Sequence, residues 1–233
     1  MVAVDAVIML SRNNADSAVP MAHGRMAGSQ AVYEGSIRFV RPKHHELTMT
    51  DAITADTSRN DLLKIAIGGV VSGLLTPLLP DVIDLLAPAP AMLRLALVAV
   101  PFAVLVFIVV RRRSANPVWA ALAASLVTMI AFVAAVNAAV YIDGQMAGAA
   151  KTMRSLFAGL AGGLVGSGVM ALGIALLPSG PRRAAPWMPM LVTGTIAGSL
   201  LALDTALGLD RTSFLYPVWQ AAVGVRLALA LKR

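Results

Sequence analysis

Residues 117–141 read PVWAALAASLVTMIAFVAAVNAAVY, and the class of the whole chain follows from them. None of these twenty-five positions carries a charge. Wound as an α-helix at ~1.5 Å per residue they reach about 37 Å, enough to cross a ~30 Å hydrocarbon core. Five further apolar stretches resemble it, at 62–80, 91–110, 154–177, 187–205 and 214–231, and the loops between them carry most of the charge. The expected fold is therefore an all-α polytopic integral membrane bundle of about six transmembrane helices, since a helix satisfies its own backbone in lipid. Composition agrees: mean hydropathy is +0.77, and 13% of the 233 residues are charged.

This divides the chain into a polar tail, residues 1–60, and a membrane domain, residues 61–233. The tail holds six Lys/Arg and six Asp/Glu, so the net charge of +7 arises wholly in the membrane part. Such a distribution points to the lipid bilayer as partner and away from nucleic acid. Basic residues resist translocation and stay cytoplasmic. Arg111, Arg112 and Arg113, then Arg182 and Arg183, then Lys232 and Arg233 all fall on one side of a six-span arrangement. The other side receives Asp81, Asp84, Asp143, Asp204 and Asp210, with Arg94, Lys151, Arg154 and Arg211 as a weaker basic complement. Both termini are expected in the cytoplasm, with Lys151 and Arg154 the one discord. Arg outnumbers Lys fifteen to four, a bias of GC-rich bacterial genomes, which makes a bacterial inner membrane the expected location. Trp119, Tyr141, Trp187, Tyr216 and Trp219 lie at or near the ends of the stretches, as interfacial aromatic residues do.

Within the tail, Met1 to Leu10 has no basic start and Asp5 interrupts its apolar run, so it does not read as a signal peptide. Disorder is expected through the tail, residues 1–60, apart from an alternating run at 33–40 with no strand to pair with. Met49 is an alternative start. Ser58, three residues before Asp61, resembles a capping box opening the first span. His44-His45-Glu46 groups two of the three histidines, but adjacent ligands on a polar loop do not make a coordination site. With no cysteine there is no thiolate site either. Neither a metal nor a cofactor is expected.

Gly68-Gly69-Val70-Val71 is echoed by Gly162-Gly163-Leu164-Val165, and Ser72-Gly73 by Ser167-Gly168. The echo continues in order through Leu78-Leu79-Pro80 and Leu176-Leu177-Pro178, Met92-Leu93 and Met190-Leu191, and Pro117-Val118-Trp119 and Pro217-Val218-Trp219. These anchors outline two halves, 61–141 and 151–233, and pair Gly69 with Gly163 and Trp119 with Trp219. Three spans per half is odd, so the second half enters from the opposite side, a 3+3 inverted repeat. Many secondary transporters are built this way, with the substrate route between the halves. The competing reading is a duplication kept for helix packing alone.

Gly69/Gly73, Gly159/Gly163, Gly162/Gly166 and Gly194/Gly198 each carry the spacing that lets another helix backbone approach. They are packing faces or the lining of a narrow path, and equally a surface for a second copy or a membrane partner. Thr76-Pro77 and Pro80 should break or kink the first span. Arg226 is the one basic residue well inside a span, and intramembrane charge is a functional candidate by default. It lies ~7 Å from the near end, within reach of snorkelling. Asp204, Asn137, Thr128, Thr193 and Thr195 are the remaining polar candidates.

Enzymatic chemistry finds no support. No histidine follows His45 to serve Ser167 as a base, the acidic residues sit at span ends and not facing each other at depth, and Met188-Pro189-Met190 lacks companion soft ligands. Two classes remain: a small transporter or channel-like protein, and a non-catalytic membrane subunit or assembly partner. The first requires a cavity between the halves and the second a dry glycine-packed bundle.

Overall fold

Long runs of Ala, Leu, Val and Ile become helices throughout the computed structural model, which describes residues 49–86, 90–209 and 213–231, with side chains from residue 59. These belong to one compact unit, Leu47–Arg233. The unit Met1–Glu46, with the alternating run and the His44-His45-Glu46 cluster, lies outside the described residues. Every regular element among the described residues is helical: α1 Met49–Leu75, a 3-10 turn Thr76–Leu78, α2 Leu79–Leu86, α3 Ala91–Val98, α4 Val100–Arg113, α5 Val118–Gln145, α6 Lys151–Ala175, α7 Met188–Gly198, α8 Leu200–Ala206 and α9 Leu215–Ala230. Helix α1 begins well before the apolar run, so Ser58 is interior to it and not at its N-terminus. Nucleating a helix is the costly step, and extension into flanking polar residues follows easily.

Four helical stretches are long and apolar enough to cross a membrane: Arg59–Leu85, Val118–Gln145, Lys151–Ala175 and Met188–Ala206. A fifth forms if α3 and α4, bent by 49°, count as one. The segment expected as a sixth span folds as α9, 16 residues long.

Two of these stretches are interrupted near their middles. Pro101 sits in the first turn of α4, where its ring opposes the carbonyl of Leu97 and supplies no N–H to it. The chain answers with a single tighter turn, Ala99 N–H donating to the Ala96 carbonyl at 3.1 Å. No proline acts between α7 and α8. There Gly198 precedes Ser199, whose hydroxyl and N–H both turn back to the Ile196 carbonyl, at 2.6 and 3.1 Å, a Gly/Ser interruption of the ladder.

Two glycine-lined crossings hold the bundle together. On α1, a Cβ at Gly73 would overlap the backbone of Pro217, and one at Gly69 the backbone of Ala221, so α1 and α9 touch backbone to backbone. Between α6 and α7, Gly159 lies against the Gly198 carbonyl and Gly163 against that of Gly194. Gly162 and Gly166 turn to a third helix, α5, at Ala135. The sequence pairing of Gly69 with Gly163 therefore joins glycines with different neighbours, α9 for one and α7 for the other. The pair that meets α5, Gly162/Gly166, lies one position before Gly163 and two before Gly168, the residues that the sequence echo sets against Gly69 and Gly73.

Alternation of the helices brings like loops together. At one end Arg113 pairs with Asp61 at 3.2 Å, and the Ser179 N–H donates to Asn116 Oδ1 at 2.9 Å. This end carries Arg111, Arg112, Arg182 and Arg183. At the other end Arg94 pairs with Asp84 at 2.9 Å, and Arg154 grips Asp143 with two hydrogen bonds across the α5–α6 connection. That pairing offsets Arg154, half of the discord in the charge pattern.

Packing is unequal between the ends. The buried apolar core runs through Val106 and Val110 of α4, Ala120 and Ala124 of α5, Ile174 of α6 and Leu227 of α9, all toward the basic end. Two cavities lie in the other half.

Candidate functional site

The half of the bundle away from the basic end contains two adjoining cavities. The outer, of about 390 Å³, is a vestibule walled by Thr76, Pro77 and Pro80 at the end of the first span, by Leu95 and Val98 of α3, and by Lys151, Asp204, Thr205 and Ser213 of the second half. The inner, of about 230 Å³, is an apolar trench between α5 and α9, floored by Gly159, Gly162 and Gly163 of α6. Phe132, Leu201, Leu215 and Tyr216 border both. The rings of Phe132 and Tyr216, with centroids 6.1 Å apart, form the constriction between them. One of these rings comes from each half of the chain.

Beside the constriction lies a buried polar relay. Ser72 donates to Gln220 Oε1 at 2.6 Å, and Gln220 Nε2 donates to Thr76 Oγ1 at 2.9 Å. Thr76 in turn donates to the Ser72 carbonyl at 3.0 Å. All three side chains are buried, and no buried side-chain polar atom among the described residues lacks a partner. An amide in a low-dielectric interior is retained only when so satisfied. The relay locks the α1–α9 crossing, with the glycines supplying the close approach and the side chains its register.

Asp204, a candidate for pathway chemistry, is buried because it caps a helix. Its carboxylate accepts from the Ser213 hydroxyl at 2.5 Å and from the N–H groups of Phe214 and Leu215 at 2.9 and 3.3 Å. Those N–H groups open α9 and have no intrahelical acceptor, and a carboxylate there also meets the positive end of the helix dipole. Asp204 thus shapes the vestibule wall while its oxygens are engaged.

The other sequence candidates divide clearly. Pro77 lines the vestibule. Gly163 and Gly198 contribute backbone to the trench, whereas Gly69, Gly73 and Gly194 serve helix contacts. Gly166 packs against Ala135 and the Trp219 ring. Arg226 is exposed on the outer surface of α9, its Nε donating to Thr193 Oγ1 at 3.2 Å. Asn137 is also exposed, and its amide bonds the Val133 carbonyl one turn back at 2.8 Å. Neither faces a cavity. Thr128 and Thr195 likewise bond carbonyls of their own helices.

Trp219 departs from its expected interfacial position. Its ring stands edge-on to Phe102 with centroids 5.8 Å apart, and its N–H donates to the Gly194 carbonyl at 3.1 Å. It is a central packing residue, and Gly166 leaves room there for the indole. Trp119, 60% exposed, and Tyr141 lie at the two ends of α5, where the aromatic rule puts them.

Sequence reasoning passed over Phe132, Tyr216, Gln220, Lys151 and Thr205 as site residues. Gln220 alone left a signal, as an amide in an otherwise apolar stretch. Comparison with protein families, with curated proteins and with solved structures finds no match to this chain.

Proposed function

We propose that the protein is a six-span transporter-like membrane protein, composed of two inverted three-span halves, that takes a ligand through the vestibule. The observation that carries this reading is the placement of the cavities. They lie between the halves and away from the basic end, where the apolar core is packed, as in one stage of an alternating-access cycle. The 49° bend between α3 and α4 supports it, since transporters of this kind use broken helices beside their binding sites. Helix α9, about 24 Å long at ~1.5 Å per residue, is short for a sixth crossing. Its packing on α1 and α7 puts it at their depth, and local thinning of the bilayer accommodates the mismatch. The basic end belongs in the cytoplasm, and the vestibule opens on the far side of a bacterial inner membrane. A channel is disfavoured by the packed core at the basic end.

The second reading, a non-catalytic subunit or assembly partner, draws on the glycine-to-glycine crossings and the dry core. One experiment separates the two. The chain contains no cysteine, so single-cysteine variants report single sites. Thr205→Cys in the vestibule should react with a membrane-impermeant maleimide in right-side-out vesicles. Val223→Cys, fully buried toward the basic end, should react slowly with N-ethylmaleimide in a transporter, as the packed half opens in turn. A Val223→Cys that stays inert while Thr205→Cys labels readily refutes transport and leaves the subunit reading.

A further inference from the structure

We infer that the two cavities together form the site of one amphipathic ligand, an anionic phospholipid of the leaflet at the vestibule end, with an acyl chain in the trench and its head group at Lys151. This names the ligand class for the proposed site and rests on that reading.

The trench excludes polar solutes by what its walls have left to offer. Ala135, Val136, Ala139 and Val140 form one side and glycine backbone the floor. The Gln220 amide is engaged by Ser72 and Thr76, and the Trp219 N–H by the Gly194 carbonyl, which leaves the hydroxyl of Tyr216, a residue shared with the vestibule, as the polar side-chain group on offer. A solute bearing many hydroxyls or charges would lose water there and gain almost no partner, a penalty of kilocalories for each group. A hydrocarbon chain loses nothing. The trench also opens where such chains are: α5 and α9 do not pack along their length, and Val140 on its rim is 66% exposed.

The vestibule has the opposite character. Asp204 is engaged in capping α9, and Thr205 hydrogen-bonds Ser155 and the Leu201 carbonyl. Lys151, exposed at the start of α6, forms no ion pair among the described residues. The vestibule wall among the described residues thus carries one carboxylate turned to the start of α9 and one cation, Lys151, free of any ion pair there, next to an apolar trench that begins at Tyr216. An anionic head group joined to a chain matches that sequence of surfaces, and the two volumes fall near or within the range of small-molecule sites.

Native mass spectrometry of the purified full chain, titrated with phosphatidylglycerol or phosphatidylcholine, tests the inference. The expected result is one saturable phosphatidylglycerol per chain, held more tightly than phosphatidylcholine. Lys151→Gln, on the surface and harmless to folding, should weaken phosphatidylglycerol by about five-fold, the value of one basic residue near anionic lipid, and leave phosphatidylcholine unchanged. Val136→Phe should weaken both by about ten-fold by filling the trench. Equal adducts of the two lipids that neither variant alters would overturn the inference. If lipid fails to bind while Val223→Cys still becomes reactive, the ligand class is wrong and transport stands. If lipid binds as described while Val223→Cys stays inert, the site is real and belongs to a static subunit.

Discussion

Substituting Gly73 by Ala tests the central packing claim at the smallest scale available, one methyl group. That carbon would overlap the Cα and N of Pro217. Carbon atoms rest at ~3.5–4.0 Å, so α1 and α9 must separate locally by roughly 1 Å. Inserting bulk into a close-packed contact costs about 1–3 kcal/mol. The same separation would lengthen the Ser72–Gln220 and Gln220–Thr76 hydrogen bonds, now 2.6 and 2.9 Å, past useful range. At ~0.6 kcal/mol for each interhelical bond in a membrane bundle, the total loss is about 2–4 kcal/mol. Reversible unfolding in mixed detergent micelles measures it. Gly144→Ala is the control, because nothing lies within 4 Å of a Cβ there and helix propensity favours Ala by up to ~1 kcal/mol. The mechanism also implies non-additivity. In the native background Gln220→Leu should cost about 1 kcal/mol, since Ser72 and Thr76 keep their bonds to the carbonyls of Gly69 and Ser72. In the Gly73→Ala background it should cost almost nothing, its bonds already being lost. Gly73→Ala unfolding with Gly144→Ala, or the two losses simply adding, would refute the coupling of close approach to the polar relay.

Asp204→Ala should destabilise the folded chain by about 1–2 kcal/mol through loss of the α9 cap, while Asp204→Asn, which keeps an acceptor, should lose less; equal losses would mean that the charge and not the cap is what matters. Arg226→Ala should shift unfolding by no more than ~0.5 kcal/mol, as an exposed residue with one side-chain bond, and should leave ligand binding unchanged; a large loss of binding would return Arg226 to the pathway. Single cysteines at Gly148 and Arg183 should be labelled by an impermeant maleimide from opposite sides of the membrane, Arg183→Cys only in inside-out vesicles, and labelling of both from one side would undo the assigned orientation.

The helical class was legible because hydropathy measures the transfer that a membrane imposes, and stretches such as 117–141 leave no alternative. Ends were less legible. Residues 49–60 look like tail to a hydropathy window yet continue α1, because propagation needs no apolar side chains. Glycine spacing announced that backbones would meet but not which ones, and Gly163 met α7 where the echo of Gly69 implied α5. The relay was hidden for a different reason. Gln220 finds its partners 148 and 144 positions away, and a pairing of that separation leaves no local pattern. Arg226 misled because a charge inside an apolar run states its depth and not its face, and here the face is outward. Of the site, the sequence marked Pro77, Asp204 and the trench glycines, while the ring pair Phe132 and Tyr216 resembles any apolar helix residue until the helices are in place.

Under the proposed two-fold relation each contact between halves should occur twice. Helix α1 packs on α9 through Gly69 and Gly73, and α6 packs on α5 through Gly162 and Gly166, two contacts that such a relation would exchange. It would also exchange the interruptions of the helical ladder at Ala99, between α3 and α4, and at Ser199, between α7 and α8. The correspondence fails at one instructive place. Helix α6 carries a second glycine face, Gly159 and Gly163, pressed backbone to backbone on α7, whereas the equivalent face of α1 meets α4 through the Leu105 side chain beside Gly68. One half is therefore joined by rigid backbone contact and the other by a flexible side chain. A backbone contact has no alternative rotamer, while a leucine has several, so relative movement would be taken up within the first half. The relay at Ser72, Thr76 and Gln220 lies where that half grips α9, beside the vestibule. Thr76 and Pro77 line that vestibule together with Tyr216, so a ligand held there would press on the half better able to yield.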